Sequence, residues 1–279
     1  MNKPIEGAKV KKSYGRLGTV LAMSALLAAG CSTGGGDSTA PESGSTASDP
    51  AGQDISGDLT VFAAASLKAT FTQLGAMFEA AHPGTDVAFN FAGSSDLVTQ
   101  LTQGAPGDVF ASADTANMTK ALDANLISGD PENFATNTLI IVTPPGNPKG
   151  IASFADLADK DNKVVVCAPQ VPCGAATTKV EKATGVDIAP VSEESSVTDV
   201  LGKVTSGQAD AGLVYVTDAS GAGEKVTSVA FEESSGAVNT YPIAVLSDSQ
   251  NSAAAKAFEA LVMSAEGQEV LADAGFAAP

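Results

Sequence analysis

From residue 59 onward the apolar positions follow two rhythms, short unbroken runs and side chains spaced three or four apart. Residues 59–65 form a buried-strand run that leads directly into Leu67, Phe71, Leu74 and Phe78 at helical spacing, stopped by Pro83-Gly84. The same alternation continues along the chain. Strands are predicted at 86–91, 108–113, 139–142, 163–167, 211–216, 226–231 and 241–246. Helices are predicted at 96–103, 115–126, 154–158, 174–184, 197–206, 253–264 and 266–274. Strands alternating with helices at this spacing make an α/β protein on largely parallel sheets, and no internal repeat is visible. In such sheets ligands sit beyond the carboxyl ends of the strands, so the strand-to-helix turns are where chemistry is to be sought.

The first residues follow a different rule. Residues 1–16 carry Lys3, Lys9, Lys11, Lys12 and Arg16 against Glu6, and an apolar run over 17–30 ends at Leu27-Ala28-Ala29-Gly30-Cys31. A basic region, a short apolar core and small residues before a break make an export signal. The run is shorter than the roughly 20 residues that span a bilayer. Cys31 after small residues resembles a lipobox, in which the thiol is acylated and heads the mature chain. The usual Leu three places earlier is shifted by one, Ala28 standing there. An ordinary secretory signal with an incidental Cys is the alternative. Residues 32–57 are almost entirely Ser, Thr, Gly, Ala, Pro and Asp, with Ile55 the one large apolar residue. Such a stretch cannot bury enough surface to order itself. It reads as a tether of about 30 Å mean reach.

Charge narrows the partners. The whole chain carries a formal −17, and from Cys31 onward ten Lys and no Arg face 31 acids, a net −21. Nucleic acid and acidic membrane surfaces are excluded as electrostatic partners. His82 is the one histidine, and no Cys/His cluster has metal-site spacing.

Four turns stand out. Ala63-Ala64-Ala65-Ser66 and Phe91-Ala92-Gly93-Ser94-Ser95 place serines between strand and helix. Val171-Pro172-Cys173-Gly174 and Ser195-Ser196-Val197 open two more helices. A helix N-terminus offers unpaired N–H groups and about half a positive charge, so several aimed at one point bind an anion without a charged side chain. Helix capping is the plainer role for any single serine, but the small Ala64-Ala65 and Gly93 beside two of them let a ligand approach the backbone closely.

These residues, with Gly107-Asp108-Val109-Phe110-Ala111-Ser112-Ala113-Asp114, Gly212-Leu213-Val214-Tyr215-Val216-Thr217-Asp218-Ala219 and Tyr241-Pro242-Ile243-Ala244, resemble the periplasmic molybdate-binding proteins of ABC importers. The resemblance spans residues 59–276. It implies a two-lobed α/β periplasmic-binding-protein fold of type II, with the ligand cleft between the lobes. Residues 1–30 would then be a lipoprotein signal peptide, 31–57 the tether, 58–137 with 241–279 lobe I, and 138–240 lobe II. It further implies ligand contacts from Ser66 and Ser94 through hydroxyl and backbone N–H, from the Tyr215 hydroxyl, and from the N–H groups at Cys173 and Val197. The implied partners are molybdate or tungstate, an ABC importer permease, and the membrane through a lipid on Cys31. The protein would act outside the cytoplasm as a monomer, without cofactor or metal other than molybdenum in the oxyanion, and not as an enzyme. Cys173 stands where relatives often have Ala, and a backbone contact would leave that side chain free to vary. With Cys167 it could close a short disulfide loop in an oxidising compartment; two free, partly buried thiols are the alternative.

A deprotonated dianion needs only donors, whereas HPO₄²⁻ would want an acceptor such as Asp, and the matched turns contain none. Lys68 is expected to face solvent. Sulfate makes the same donor-only demand and is the main competitor. A secreted serine hydrolase would need a base for Ser66, but His82 lies at the opposite end of the helix and no Gly-x-Ser-x-Gly elbow is present. An organic solute such as an amino acid would ask for Arg and aromatic walls, and the mature chain has neither Arg nor Trp. Tyr241 is expected to be structural, at the start of the strand returning between lobes.

Overall fold

A computed structural model describes residues 55–279. The export signal, Cys31 and nearly all of the tether lie outside the described residues. Along the chain the elements are β1 (Gly57–Ala64), α1 (Lys68–Ala81), β2 (Thr85–Ala92), α2 (Ser94–Thr102), β3 (Val109–Ala111) and α3 (Thr115–Asp123). Then come β4 (Ile127–Asn137), β5 (Leu139–Thr143), β6 (Val164–Cys167), α4 (Pro172–Thr184), β7 (Ser192–Glu194) and α5 (Val197–Thr205). The chain ends with β8 (Ala211–Tyr215), α6 (Val216–Ala222), β9 (Thr227–Val229), β10 (Asn239–Leu246), α7 (Ser252–Met263) and α8 (Ala265–Asp273).

The strands form two five-stranded sheets, ordered β2-β1-β3-β10-β4 and β7-β6-β8-β5-β9. Every residue of β6 and β8 is buried, which is why these read as unbroken apolar runs rather than alternating ones. Under the first sheet, Phe71 of α1 packs its ring 5.8 Å from both Phe134 and Phe258. Under the second, Val180, Val200 and Val204 of α4 and α5 close on Val164, Val165 and Leu213. The two sheets exchange chain where β4 passes into β5 and where β10 returns.

The sheets are less parallel than expected. β1–β2, β1–β3, β6–β7 and β6–β8 are parallel, but β10 runs antiparallel to β3 and β4, and β5 to β8 and β9. The connecting strands cause this, because a chain that crosses to a second sheet and comes back must run against its neighbours. β4 is absent from the hydrophobic pattern. Its sequence, Ile-Ser-Gly-Asp-Pro-Glu-Asn-Phe-Ala-Thr-Asn, contains Gly129 and Pro131 and is largely exposed. It occupies the sheet edge, where a proline without an N–H is tolerated. α6 was hidden because Val216 continues the apolar run of β8; the strand stops at Tyr215, whose backbone N–H is received by Asp218 at 3.2 Å.

Candidate functional site

The carboxyl ends of the inner strands from both sheets converge on one small cavity. It is lined by Ala64, Ala65, Ser66, Gly93 and Ala113 from one side and Val171, Pro172, Cys173, Val197 and Tyr215 from the other. Room for the centre of a water-sized sphere amounts to about 10 Å³. That suits a single compact group, far below the several hundred Å³ of an organic-ligand pocket. No lining residue carries a charged side chain.

Helix ends supply the polarity. The short 3₁₀ turn Ala65–Leu67, the start of α2 after Gly93 and the start of α4 after Val171 all lack a side-chain cap. Away from the cavity Asp114 caps α3 and Ser264 caps α8, while α7 begins without a side-chain cap. Three N-termini with free first-turn donors thus face one point, each with its partial positive charge. The fourth turn differs. Ser196 is a true N-cap, accepting from Asp199 N–H at 3.2 Å, so at α5 it is Val197, not the serine, that meets the cavity.

Side-chain hydroxyls complete the lining. The Tyr215 hydroxyl is buried and makes no well-formed hydrogen bond among the described residues, a state shared only with Ser95 Oγ, although the Tyr241 hydroxyl lies near enough to interact with it. A buried donor left unpaired costs about 1–3 kcal/mol. Ser66 Oγ lies 3.1 Å from the Tyr241 hydroxyl, so Tyr241 can donate to Ser66 and leave the Ser66 proton for a ligand. Burial above all pushes both phenols well above their usual range, so both remain neutral donors. Tyr241 is therefore more than filler, although its 6.0 Å edge-on contact with Tyr215 is also core packing.

Of the residues expected to meet a ligand, Ser66, Cys173, Val197 and Tyr215 line the cavity and Ser94 does not. Ser94 stands behind the wall, its Oγ accepting the Ala113 N–H at 3.0 Å. Cys167 and Cys173 are disulfide-bonded, with Cα atoms 5.7 Å apart, which ties the start of α4 to the end of β6. Gly174 fits beneath that link because a Cβ there would lie 2.0 Å from the Ala168 carbonyl. Lys68 is exposed and lines a wider neighbouring groove of about 600 Å³ that shares Ala65 and Ser66 with the cavity. His82 packs its ring 4.5 Å from Phe78 at the far end of α1, remote from Ser66.

Gly93, where the sequence pointed to close backbone approach, comes so near the opposite wall that a Cβ would lie 2.1 Å from the Ser195 carbonyl. One contributor was missed. Asn239 is buried and donates to the Ala113 carbonyl at 2.8 Å and the Pro172 carbonyl at 3.4 Å. Nothing in the hydrophobic pattern marks Asn239.

Residues 59–277 match the family described as bacterial extracellular solute-binding protein. A Mycobacterium bovis protein named molybdate-binding protein ModA is 55% identical over 258 residues, covering 92% of this chain and 96% of the relative. Two solved structures share the fold. The Azotobacter vinelandii periplasmic molybdate-binding protein aligns at TM-score 0.65 and 21% identity, over 79% of this chain and 99% of its own. The sulfate-binding protein SubI of Mycobacterium tuberculosis aligns at TM-score 0.71 and 19% identity, over 78% and 86%. One fold thus serves proteins named for different oxyanions.

Proposed function

The chain belongs to the family of bacterial extracellular solute-binding proteins, and on that premise we propose that it captures molybdate, with tungstate as a close substitute, for an ABC importer. The observation that carries this reading is the buried, unpartnered Tyr215 hydroxyl in a cavity onto which uncapped helix N-termini open. Such a set is rich in donors and holds no carboxylate. It suits a fully deprotonated tetrahedral dianion, and for the proton of HPO₄²⁻ it offers only hydroxyl oxygens, weaker acceptors than an Asp. The 55% identity to a protein named for molybdate favours that oxyanion over sulfate.

In this reading Ser66 and the turn at Ser94 serve the anion from lobe I, residues 58–137 with 241–279. The N–H groups of Cys173 and Val197 and the Tyr215 hydroxyl serve it from lobe II, residues 138–240. Ser94 acts through its backbone and by fixing Ala113, with its hydroxyl proton directed inward. Closing of the lobes removes water, and the fixed dipoles replace the anion's hydration shell. The protein works as a monomer held to the membrane by a lipid on Cys31, and it binds its solute rather than transforming it, since Ser66 has a tyrosine and not a histidine beside it.

Thermal melting with millimolar oxyanions tests this. A ligand at 100 times its Kd stabilises by about 2.7 kcal/mol. Molybdate and tungstate are expected to raise Tm while sulfate and phosphate leave it unchanged. A rise with sulfate alone would overturn the molybdate assignment.

A further inference from the structure

The two connecting strands meet at a pair of asparagines. Asn137, last in β4, stands in register with Asn239, first in β10, where the chain passes between sheets. Both are buried, at 5% and 6% exposure. Their side-chain amides point in different directions. Asn137 Nδ2 donates to Thr217 Oγ1 at 2.8 Å, and the same side chain interacts with the Tyr241 hydroxyl. Asn239 Nδ2 donates to two carbonyls, Ala113 at 2.8 Å and Pro172 at 3.4 Å, which belong to opposite walls of the cavity.

From this geometry we infer that Asn239 is the latch of the closed protein, a positioning residue that ties the two walls together and sets how long the anion is held. The inference rests on the proposed function above. Asn239 sits at the crossover between the lobes, with Ala113 after β3 of one sheet and Pro172 opening α4 beside the other. Whichever lobe Asn239 follows, one of the two bonds is lost when the lobes part, so both exist together only in the closed form. The planar NH₂ has two hydrogens in a fixed fork, so a single amide can serve both carbonyls at once. Pro172 also immediately precedes Cys173, so the latch bond holds the same turn that offers an N–H to the ligand. A bond made only after closure slows reopening and leaves encounter with the anion unchanged.

The test is stopped-flow tyrosine fluorescence on the full protein with molybdate. Asn239→Ala is expected to raise koff roughly five- to tenfold with kon within twofold of the wild type, from the loss of about one ordinary hydrogen bond. Asn239→Ser, whose hydroxyl has one proton for two carbonyls, folds more securely and should fall between the two. Thr143→Val is the control for a merely structural role: it loses a buried hydroxyl bonded to the Pro144 and Thr227 carbonyls, away from the cavity, and should lower Tm while leaving koff within twofold. The latch is overturned if Asn239→Ser and Asn239→Ala leave koff unchanged, or if Thr143→Val raises it equally. Failure of the wild type to bind molybdate would instead sink the ligand assignment. The latch would then be measured in the same way with whichever oxyanion raises Tm.

Discussion

Gly93→Ala separates closure from folding, because the obstruction lies across the cleft and not within the lobe that carries it. An added Cβ would stand 2.1 Å from the Ser195 carbonyl and 3.4 Å from Val171 Cγ1, both on the opposite wall. The first contact is more than about 1 Å inside van der Waals distance, and a backbone carbonyl cannot rotate away. Within its own lobe the change is harmless. Gly93 has φ −61° and ψ 140°, which any residue adopts. Alanine at a compatible glycine position stabilises by about 0.4–1 kcal/mol by restricting the unfolded chain. The unliganded variant should therefore melt at the wild-type temperature or slightly above it. Its lobes can no longer meet, so the anion forfeits the Cys173 and Val197 N–H groups and the Tyr215 hydroxyl. At about 1.5 kcal/mol each, the low end for bonds to a charged group, that loss is about 4.5 kcal/mol, or roughly a thousandfold in Kd. Isothermal titration with molybdate gives the affinity, and melting curves give the stability. Binding within tenfold of wild type would refute the reasoning, and so would a fall of several degrees in unliganded Tm. Gly174→Ala provides the contrast, since its clash with Ala168 lies inside one lobe and should destabilise the fold itself.

Tyr215→Phe removes a hydroxyl without a partner, so unliganded Tm should hold or rise while molybdate affinity falls roughly 10- to 100-fold by titration. Ser94→Ala leaves the buried Ala113 N–H unpaired and should cost about 1–3 kcal/mol in denaturant unfolding as well as weakening binding, and Ser66→Ala, which takes the Ser66 partner from the buried Tyr241 hydroxyl, should lower both stability and affinity. The Asp218 carboxyl, half-buried at the wider groove, is pushed up to about 7, chiefly by burial and against the pull of the Tyr215 N–H. A folded value above the unfolded one means that stability is full below about pH 4 and is lost as pH rises through 7; in melting series this slope should flatten in Asp218→Asn. An ionised Asp218 also repels the dianion, so wild-type affinity should decline across pH 7 and that of Asp218→Asn should decline less.

What the sequence made legible follows from how each element is stabilised. β1, β6 and β8 are held by burial on both faces, and burial writes an apolar run. β4 is held by pairing with β10 at a sheet edge, and edge pairing leaves no hydrophobic trace through Gly129 and Pro131. The turns at Ser66, Cys173 and Val197 could be found because small or polar residues interrupt the apolar rhythm there. Whether each serine caps a helix or faces a ligand could not, since Ser196 and Ser66 occupy the same kind of turn and only three-dimensional packing assigns Ser196 to Asp199 and Ser66 to Tyr241. Asn239 was out of reach for a related reason. A buried amide whose partners are main-chain carbonyls 126 and 67 residues away has no local signature, and in sequence it looks the same as a surface asparagine.

The acidity of the chain sharpens what the site must do. A protein with a formal charge of −17 repels the dianion it is proposed to bind, and no guanidinium offsets this anywhere after Arg16. Distant carboxylates are screened beyond a Debye length of about 8 Å at physiological ionic strength. The helix ends are not screened in this way, because they act at contact inside a cavity that excludes water. Attraction therefore begins only once the anion has entered the cleft, and it becomes strong only when both walls are in place. A charged side chain could hold the anion from one wall. Dipoles from two walls cannot, so recognition here is tied to closure, and the close approach at Gly93 and the bridging amide of Asn239 become part of the affinity.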